Sequence, residues 1–198
     1  MQLLNISDID KAHSKIEQQI TRTPLITNES INSLTNAKVY FKLENLQQTG
    51  SFKIRGASHK ISLLSKKQKK TGVVTYSSGN HAQAVAFVAN HHNIDATIVM
   101  PNNAPKIKFE NTKKFGAHII QYDPSAENRE KIGSSIASKS GKILIKPYND
   151  LEVISGQGTV GKEIAEQLQE ENIIPDLYLC CCGGGGLIAG SSLYLKKQ

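Results

Sequence analysis

The lysine of Thr49-Gly50-Ser51-Phe52-Lys53-Ile54-Arg55-Gly56-Ala57 has neighbours unlike those of an ordinary surface lysine. Gly50 and Ser51 precede it, Phe52 adjoins it and small residues follow, which suits a strand-to-helix turn with close backbone approach. An amine held at a helix start lies near positive partial charge, which lowers its pKa. A neutral amine is what condensation with a carbonyl requires. Taken alone, the segment reads more often as a helix N-terminus carrying a solvated lysine.

Two distant segments change that weighing. Ser77-Ser78-Gly79-Asn80-His81 follows the strand-like Val73-Val74-Thr75-Tyr76 and precedes a run of small apolar helix formers, Ala82 to Ala89. A tight Ser/Gly/Asn loop there aims backbone N–H groups at an anion, with the helix dipole assisting. The bland alternative is an ordinary N-cap. Gly183-Gly184-Gly185-Gly186 lies between the apolar run Leu177 to Cys182 and a helix-like stretch from Leu187. Four glycines at such a junction let backbone approach a bulky anion such as phosphate. The spacing is neither the dinucleotide fingerprint nor a P-loop. A flexible linker would be out of place between a strand and a helix.

Together these segments resemble the pyridoxal-phosphate (PLP) enzymes of the tryptophan-synthase-β fold type, and within it the serine/threonine dehydratase and serine racemase family. The similarity runs in order through Arg22-Thr23-Pro24-Leu25, Lys42 to Gln47, Thr49 to Ala57, Ser77 to Gln83, Gly156-Gln157-Gly158-Thr159 and Gly183 to Leu187, covering nearly the whole chain. The resemblance implies PLP as cofactor. It implies that Lys53 is the lysine that condenses with the PLP aldehyde, beside the aromatic Phe52. Asn80 matches the asparagine that hydrogen-bonds the ring hydroxyl. Gly183, Gly184, Gly185 and Gly186 match the glycine loop that holds the phosphate. Ser77, Asn80 and His81 match the loop that receives the substrate carboxylate. Ser78 matches the serine that works on the face opposite the lysine in racemising members. A serine hydroxyl is a poor base unless activated, so a structural role for Ser78 weighs more than a catalytic one.

The activity so implied is dehydration of L-threonine or L-serine to a 2-oxo acid and ammonia, with Lys53 removing the α-proton. A serine racemase with dehydratase side activity is the alternative. A third reading, of another class, is a non-catalytic remnant or one half of a split protein. It arises because the family continues past the helix that follows the glycine loop, whereas this sequence stops at Gln198. On this expectation the large domain is truncated. Lys146, where relatives often carry His, and Asn149, where many carry Asp, are lesser departures that concern substrate-side contacts.

The alternation of strand-like and helix-like segments predicts an α/β fold with parallel sheet covered on both faces. The predicted helices cover 7–20 (Ser7 as N-cap), 53–64, 81–91, 105–115, 126–138 and 159–171. The predicted strands cover 39–43, 73–76, 96–100, 118–122, 142–146 and 177–182. By resemblance these form two three-layer αβα domains with mostly parallel sheets, PLP fold type II. Residues 72–149 make the small domain, and residues 1–71 with 150–198 an incomplete large one.

The 198 residues carry a formal charge of +7, with a basic run at Lys66-Lys67-Gln68-Lys69-Lys70. Without interleaved aromatics the run reads as a solvated helix end, and no nucleic-acid partner is expected. No apolar run is long enough to span a membrane, and residues 1–8 lack the order of a signal peptide, so a cytoplasmic location is expected. The three cysteines, Cys180, Cys181 and Cys182, are adjacent and alternate along one predicted strand, which predicts buried, reduced thiols and no metal site. The expected partners are a small amino-acid substrate and, if the fold is complete, further copies of the chain in a dimer or tetramer.

Overall fold

The computed structural model describes residues 3–196, and its architecture is α/β with a parallel sheet. Helix α1 (Ile6–Ile16) starts one step earlier than expected. Its cap is Asn5, whose side chain accepts from the Asp8 backbone N–H while the Asp8 carboxylate accepts from that of Asn5. Asn satisfies the orphan donors as well as Ser does, so the Asn5/Asp8 box displaces the expected Ser7 cap. Strand β1 (Leu25–Thr27), which the sequence pattern did not suggest, pairs antiparallel with β2 (Tyr40–Lys42), and a short helix α2 (Glu29–Thr35) lies between them. After a 3-10 turn at Glu44–Leu46 comes α3 (Lys53–Ser62), and the basic run forms its own helix α4 (Lys66–Thr71), capped by Ser65.

Next come β3 (Val73–Tyr76), α5 (Asn80–His91), β4 (Ala96–Pro101), α6 (Lys106–Lys114), β5 (His118–Tyr122), α7 (Arg129–Ser140) and β6 (Ile143–Leu144). All four strands are parallel, in the order β5-β4-β3-β6. Side chains alternate across β3. Val73 packs among residues of α5 with Ile98, Met100 and Ile145, while Val74 and Tyr76 pack with Val99, Tyr122 and residues Ile132 and Ile136 of α7. Helices therefore cover both faces. Strand β6 is shorter than the predicted 142–146, because the chain leaves the sheet after Ile145 towards Lys146 and Pro147.

The chain runs outward from β3 to β5 and then returns to place β6 on the other side of β3. The carboxyl ends of β3 and β6 thus flank the point where strand order reverses, which is where α/β sheets open a crevice for ligands. The loop 77–79 leaves one of those ends and Lys146-Pro147-Tyr148 leaves the other.

Helix α8 (Leu151–Glu170) is much longer than the predicted 159–171, starting at an Asp150 cap. Gly156 and Gly158 lie before the predicted start. In the structure they are helical and serve close packing. A Cβ on Gly156 would lie 2.6 Å from Gly56 Cα of α3, and one on Gly190 of α9 (Gly186–Leu195) would lie 2.5 Å from the Ile154 carbonyl oxygen. The helix backbones approach too closely for side chains there, so packing outweighs the weak helix propensity of glycine.

The predicted strand 177–182 does not form. Leu177 and Leu179 are 74% and 81% exposed, and Cys181 and Cys182 are exposed rather than buried. A strand exists only through hydrogen bonds to a neighbour, and among the described residues no strand pairs with this segment.

Candidate active site

Lys53 opens α3 and directs its Nζ to the Pro147 carbonyl oxygen at 2.7 Å, in the segment that leaves β6. The ammonium lies 5.2 Å from the Phe52 ring centroid. Among the described residues no carboxylate pairs with it. Burial pushes its pKa below the ordinary lysine value. The sequence had assigned that depression to the helix terminus, whereas desolvation of the ammonium is the cause here.

His81 lies in the first turn of α5 and is 2% exposed. Its Nε2 faces the Ile145 carbonyl oxygen at 3.4 Å, and its Nδ1 finds no partner among the described residues. Burial, and then the nearby Lys53 charge, drive its pKa down to about 3. The imidazole is therefore neutral near pH 7, a polar group adjoining the lysine that adds no charge. The shift has a consequence for stability. Between pH 6.5 and 3 the unfolded chain takes up a proton at this histidine and the folded chain does not, so stability rises with pH across that window. About 2 kcal/mol should be lost between pH 7 and 5 through this group, and His81→Asn should flatten the slope of urea-unfolding free energy against pH. An unchanged slope in the variant would contradict the assignment.

The loop between β3 and α5 holds its shape through its own bonds. The Ser77 backbone N–H donates to Val99 O at 3.0 Å, and that of Gly79 donates to Ser77 Oγ at 3.2 Å. Gly79 caps α5 without a side-chain bond, so first-turn N–H groups remain available to an acceptor. Ser78 and Asn80 are exposed. The Asn80 side-chain oxygen accepts from Lys108 Nζ of α6.

The tetraglycine turn reaches the same place from another direction. Gly185 adopts φ +82° and caps α9, again without a side-chain bond. The ring and Cβ of Tyr148 lie against Gly184, where an added Cβ would come within 2.3 Å of Tyr148 Cγ and 2.8 Å of its Cβ. Tyr148 directly follows the residue whose carbonyl receives Lys53. One short segment, 147–148, thereby joins the lysine to the glycines. Gly184→Ala should cost about 1–3 kcal/mol in urea unfolding, because the clash falls on atoms next to the Tyr148 backbone. Gly183→Ala, with open space at its Cβ position, should cost far less.

Sequence reasoning assigned no role to several groups. Tyr148, the Pro147 carbonyl and Lys108 carry no local signal, since each acts through a contact between distant segments. A fourth feature lies below α3. Arg55 is fully buried and donates to both Glu44 oxygens at 2.8 Å and to Glu163 at 2.7 and 2.8 Å, and Lys42 Nζ meets Glu163 at 2.6 Å. Burial alone would raise the Glu163 pKa, but the bonds from Arg55 and Lys42 hold it below the ordinary range. The network joins β2, α3 and α8. Its sequence signal was a carboxylate one turn beyond Thr159 on the buried stripe of α8.

These residues suit a phosphate-bearing aldehyde. A partly buried amine with no carboxylate partner among the described residues, starts to α5 and α9 that lack a side-chain cap and a glycine turn with little side-chain bulk form a set that such a ligand can use. Comparison with known proteins agrees. A family described as pyridoxal-phosphate dependent enzymes matches residues 16–198. The chain belongs to this family. Among its relatives, the L-threo-3-hydroxyaspartate ammonia-lyase of Saccharomyces cerevisiae is 44% identical over 186 residues, 94% of this chain and 56% of that protein. A catabolic L-threonine dehydratase of Staphylococcus aureus is 42% identical over 195 residues, 98% of this chain and 55% of its own length. The structure of maize serine racemase superposes with a TM-score of 0.90 at 43% identity, covering 99% of this chain and 58% of that one. The chain thus spans about half the length of the curated relatives it matches. The family's cofactor is pyridoxal phosphate, and the parallel α/β architecture accords with these relatives.

Proposed function

We propose that this chain carries the lysine-bearing half of an ammonia-lyase that dehydrates 3-hydroxy amino acids, L-threonine or L-serine, to a 2-oxo acid and ammonia. The observation that carries the reading is the Lys53 amine, partly desolvated and with no carboxylate partner among the described residues, placed beside the segment that touches the glycine turn. Bound PLP supplies an electron sink for the charge left when the α-proton departs.

In this reading Lys53 holds the cofactor, with Phe52 beside the lysine and Asn80 donating to the ring oxygen. The N–H groups of Gly183 to Gly186 and the start of α9 hold the phosphate. Ser77, Asn80 and His81, at the uncapped start of α5, receive the substrate carboxylate and orient the α-hydrogen towards Lys53. Lys53, freed when the substrate's amino group takes its place on the cofactor, would accept that proton as general base. Water leaves from the β-carbon, and the released enamine hydrolyses to the 2-oxo acid and ammonia. Residues 72–149 act as the smaller domain and the remainder belongs to the larger one.

The lyase reading is preferred to a racemase on one observation. Ser78 is exposed, and among the described residues no base hydrogen-bonds its hydroxyl. An unactivated serine is a poor proton donor and acceptor for the second face. The test supplies PLP and then L-threonine, L-serine or L-threo-3-hydroxyaspartate. It measures 2-oxo acid and ammonia, and chiral analysis of residual serine follows. Equimolar 2-oxo acid and ammonia support a lyase. Accumulating D-serine favours the racemase. Cofactor binding without turnover favours a non-catalytic remnant.

A further inference from the structure

We propose that Lys108 is a positioning residue that fixes the amide of Asn80, so that its Nδ2 is the group presented to the oxygen anion of a bound aromatic aldehyde. The proposal rests on the PLP reading above and assigns a role to a residue on a separate helix. Lys108 lies in the first turn of α6, and its stem crosses the loop between β3 and α5. A Cβ at Gly79 would lie 3.6 Å from Lys108 Cδ and 3.8 Å from both Cε and Nζ. The stem therefore passes over the one residue of the loop with no side chain to push it away.

An ammonium has three donors and no acceptor, so only the oxygen of an amide can face it. The Lys108 contact to Asn80 Oδ1 therefore removes the flipped amide as an alternative. Nδ2, with its two N–H groups, remains as the donor on the other side, and among the described residues it has no acceptor. Lys108 also enters no ion pair among the described residues, so its charge is not cancelled locally. An oxygen anion accepting from Nδ2 gains a directed hydrogen bond and a cation on the far end of the same amide, the polarising chain that strengthens such bonds. The neighbouring Lys106 is exposed and has no hydrogen bond to the loop among the described residues, which makes it the natural control.

The experiment follows the absorbance of cofactor bound to the whole chain in four single variants, Lys108→Met, Lys108→Arg, Lys106→Met and Asn80→Ala, and in the double variant of Asn80→Ala with Lys108→Met. Lys108→Met should move the bound cofactor from its visible band towards the near-ultraviolet form, in which the ring oxygen is protonated, and should weaken PLP binding about tenfold. Lys108→Arg should restore most of the visible band, and Lys106→Met should resemble wild type. In an Asn80→Ala background Lys108→Met should add nothing, because the lysine acts through the amide. A wild-type spectrum in Lys108→Met, or an additive effect in the double variant, overturns the proposal. A wild-type chain that never develops a visible band defeats the cofactor reading instead. The positioning claim is then judged on the cofactor-free protein by NMR. The Asn80 side-chain amide resonances must shift in Lys108→Met and stay in place in Lys106→Met, and unshifted resonances overturn it.

Discussion

Lys53→Ala is expected to bind no PLP covalently, to show no visible cofactor band and to lose at least about four orders of magnitude in turnover. The size follows from two roles lost at once. In the proposed function one amine both anchors the cofactor and takes the α-proton, so no remaining group would substitute for either. Lys53→Arg should fare little better, since a guanidinium stays protonated and cannot condense. The wild-type pH dependence has a definite sign. Burial lowers the Lys53 pKa below 10.5, so the reactive neutral amine appears at lower pH than for a solvated lysine. The rate of cofactor attachment should rise with pH and level off at a midpoint below 10.5. A midpoint at or above that value, or a visible band persisting in Lys53→Ala, would remove the residue from its role. Folding is not at stake in this variant, because the amine's hydrogen bond at the Pro147 carbonyl is partly buried and single.

Glu163→Gln is expected to destabilise the protein by about 3–5 kcal/mol, enough to unfold a marginal domain. Glu163 is 1% exposed and accepts from both Arg55 and Lys42. Its loss leaves two buried cations with Glu44 as the one remaining carboxylate of the network among the described residues. Asp at this position should also fail, as the shorter side chain cannot reach both partners. The physical claim is that the cost comes from the unpaired cations rather than from a missing contact. Two measurements separate these. In Glu163→Gln with Lys42→Met the buried charge is balanced again, and the double variant should recover much of the loss in urea unfolding. Simple additivity of the two costs would show that packing, not charge, dominates. Arg55 lies two residues from Lys53, so a loosened α3 should also weaken PLP attachment.

Local chemistry made most of the strand-helix order readable. The run Val73 to Tyr76 is apolar and β-branched, and Pro101, Gly116 and Gly141 mark the ends of their elements within a residue or two. The α/β architecture follows from that alternation. The candidate site residues stood out too, because a lysine among small residues, a Ser/Gly/Asn loop and four glycines each depart from ordinary usage. Helix boundaries failed where packing overrode propensity. Gly156 and Gly158 lie before the predicted start, yet α8 runs through them because α3 and α9 need the space.

Tertiary structure alone decided three matters. A strand is not a property of its own residues: 177–182 has the apolar pattern, but among the described residues no neighbour completes its hydrogen bonds, so Cys181 and Cys182 face solvent. The pKa of Lys53 is lowered by burial, which only the folded chain creates. The contacts of Lys108 with Asn80, Tyr148 with Gly184 and Arg55 with Glu163 link segments whose encounter no local pattern encodes. The sequence by itself determined which chemical groups are present and which short elements carry them. The returning strand β6 determined which of those groups meet, because it alone brings the 147–148 segment back to the lysine.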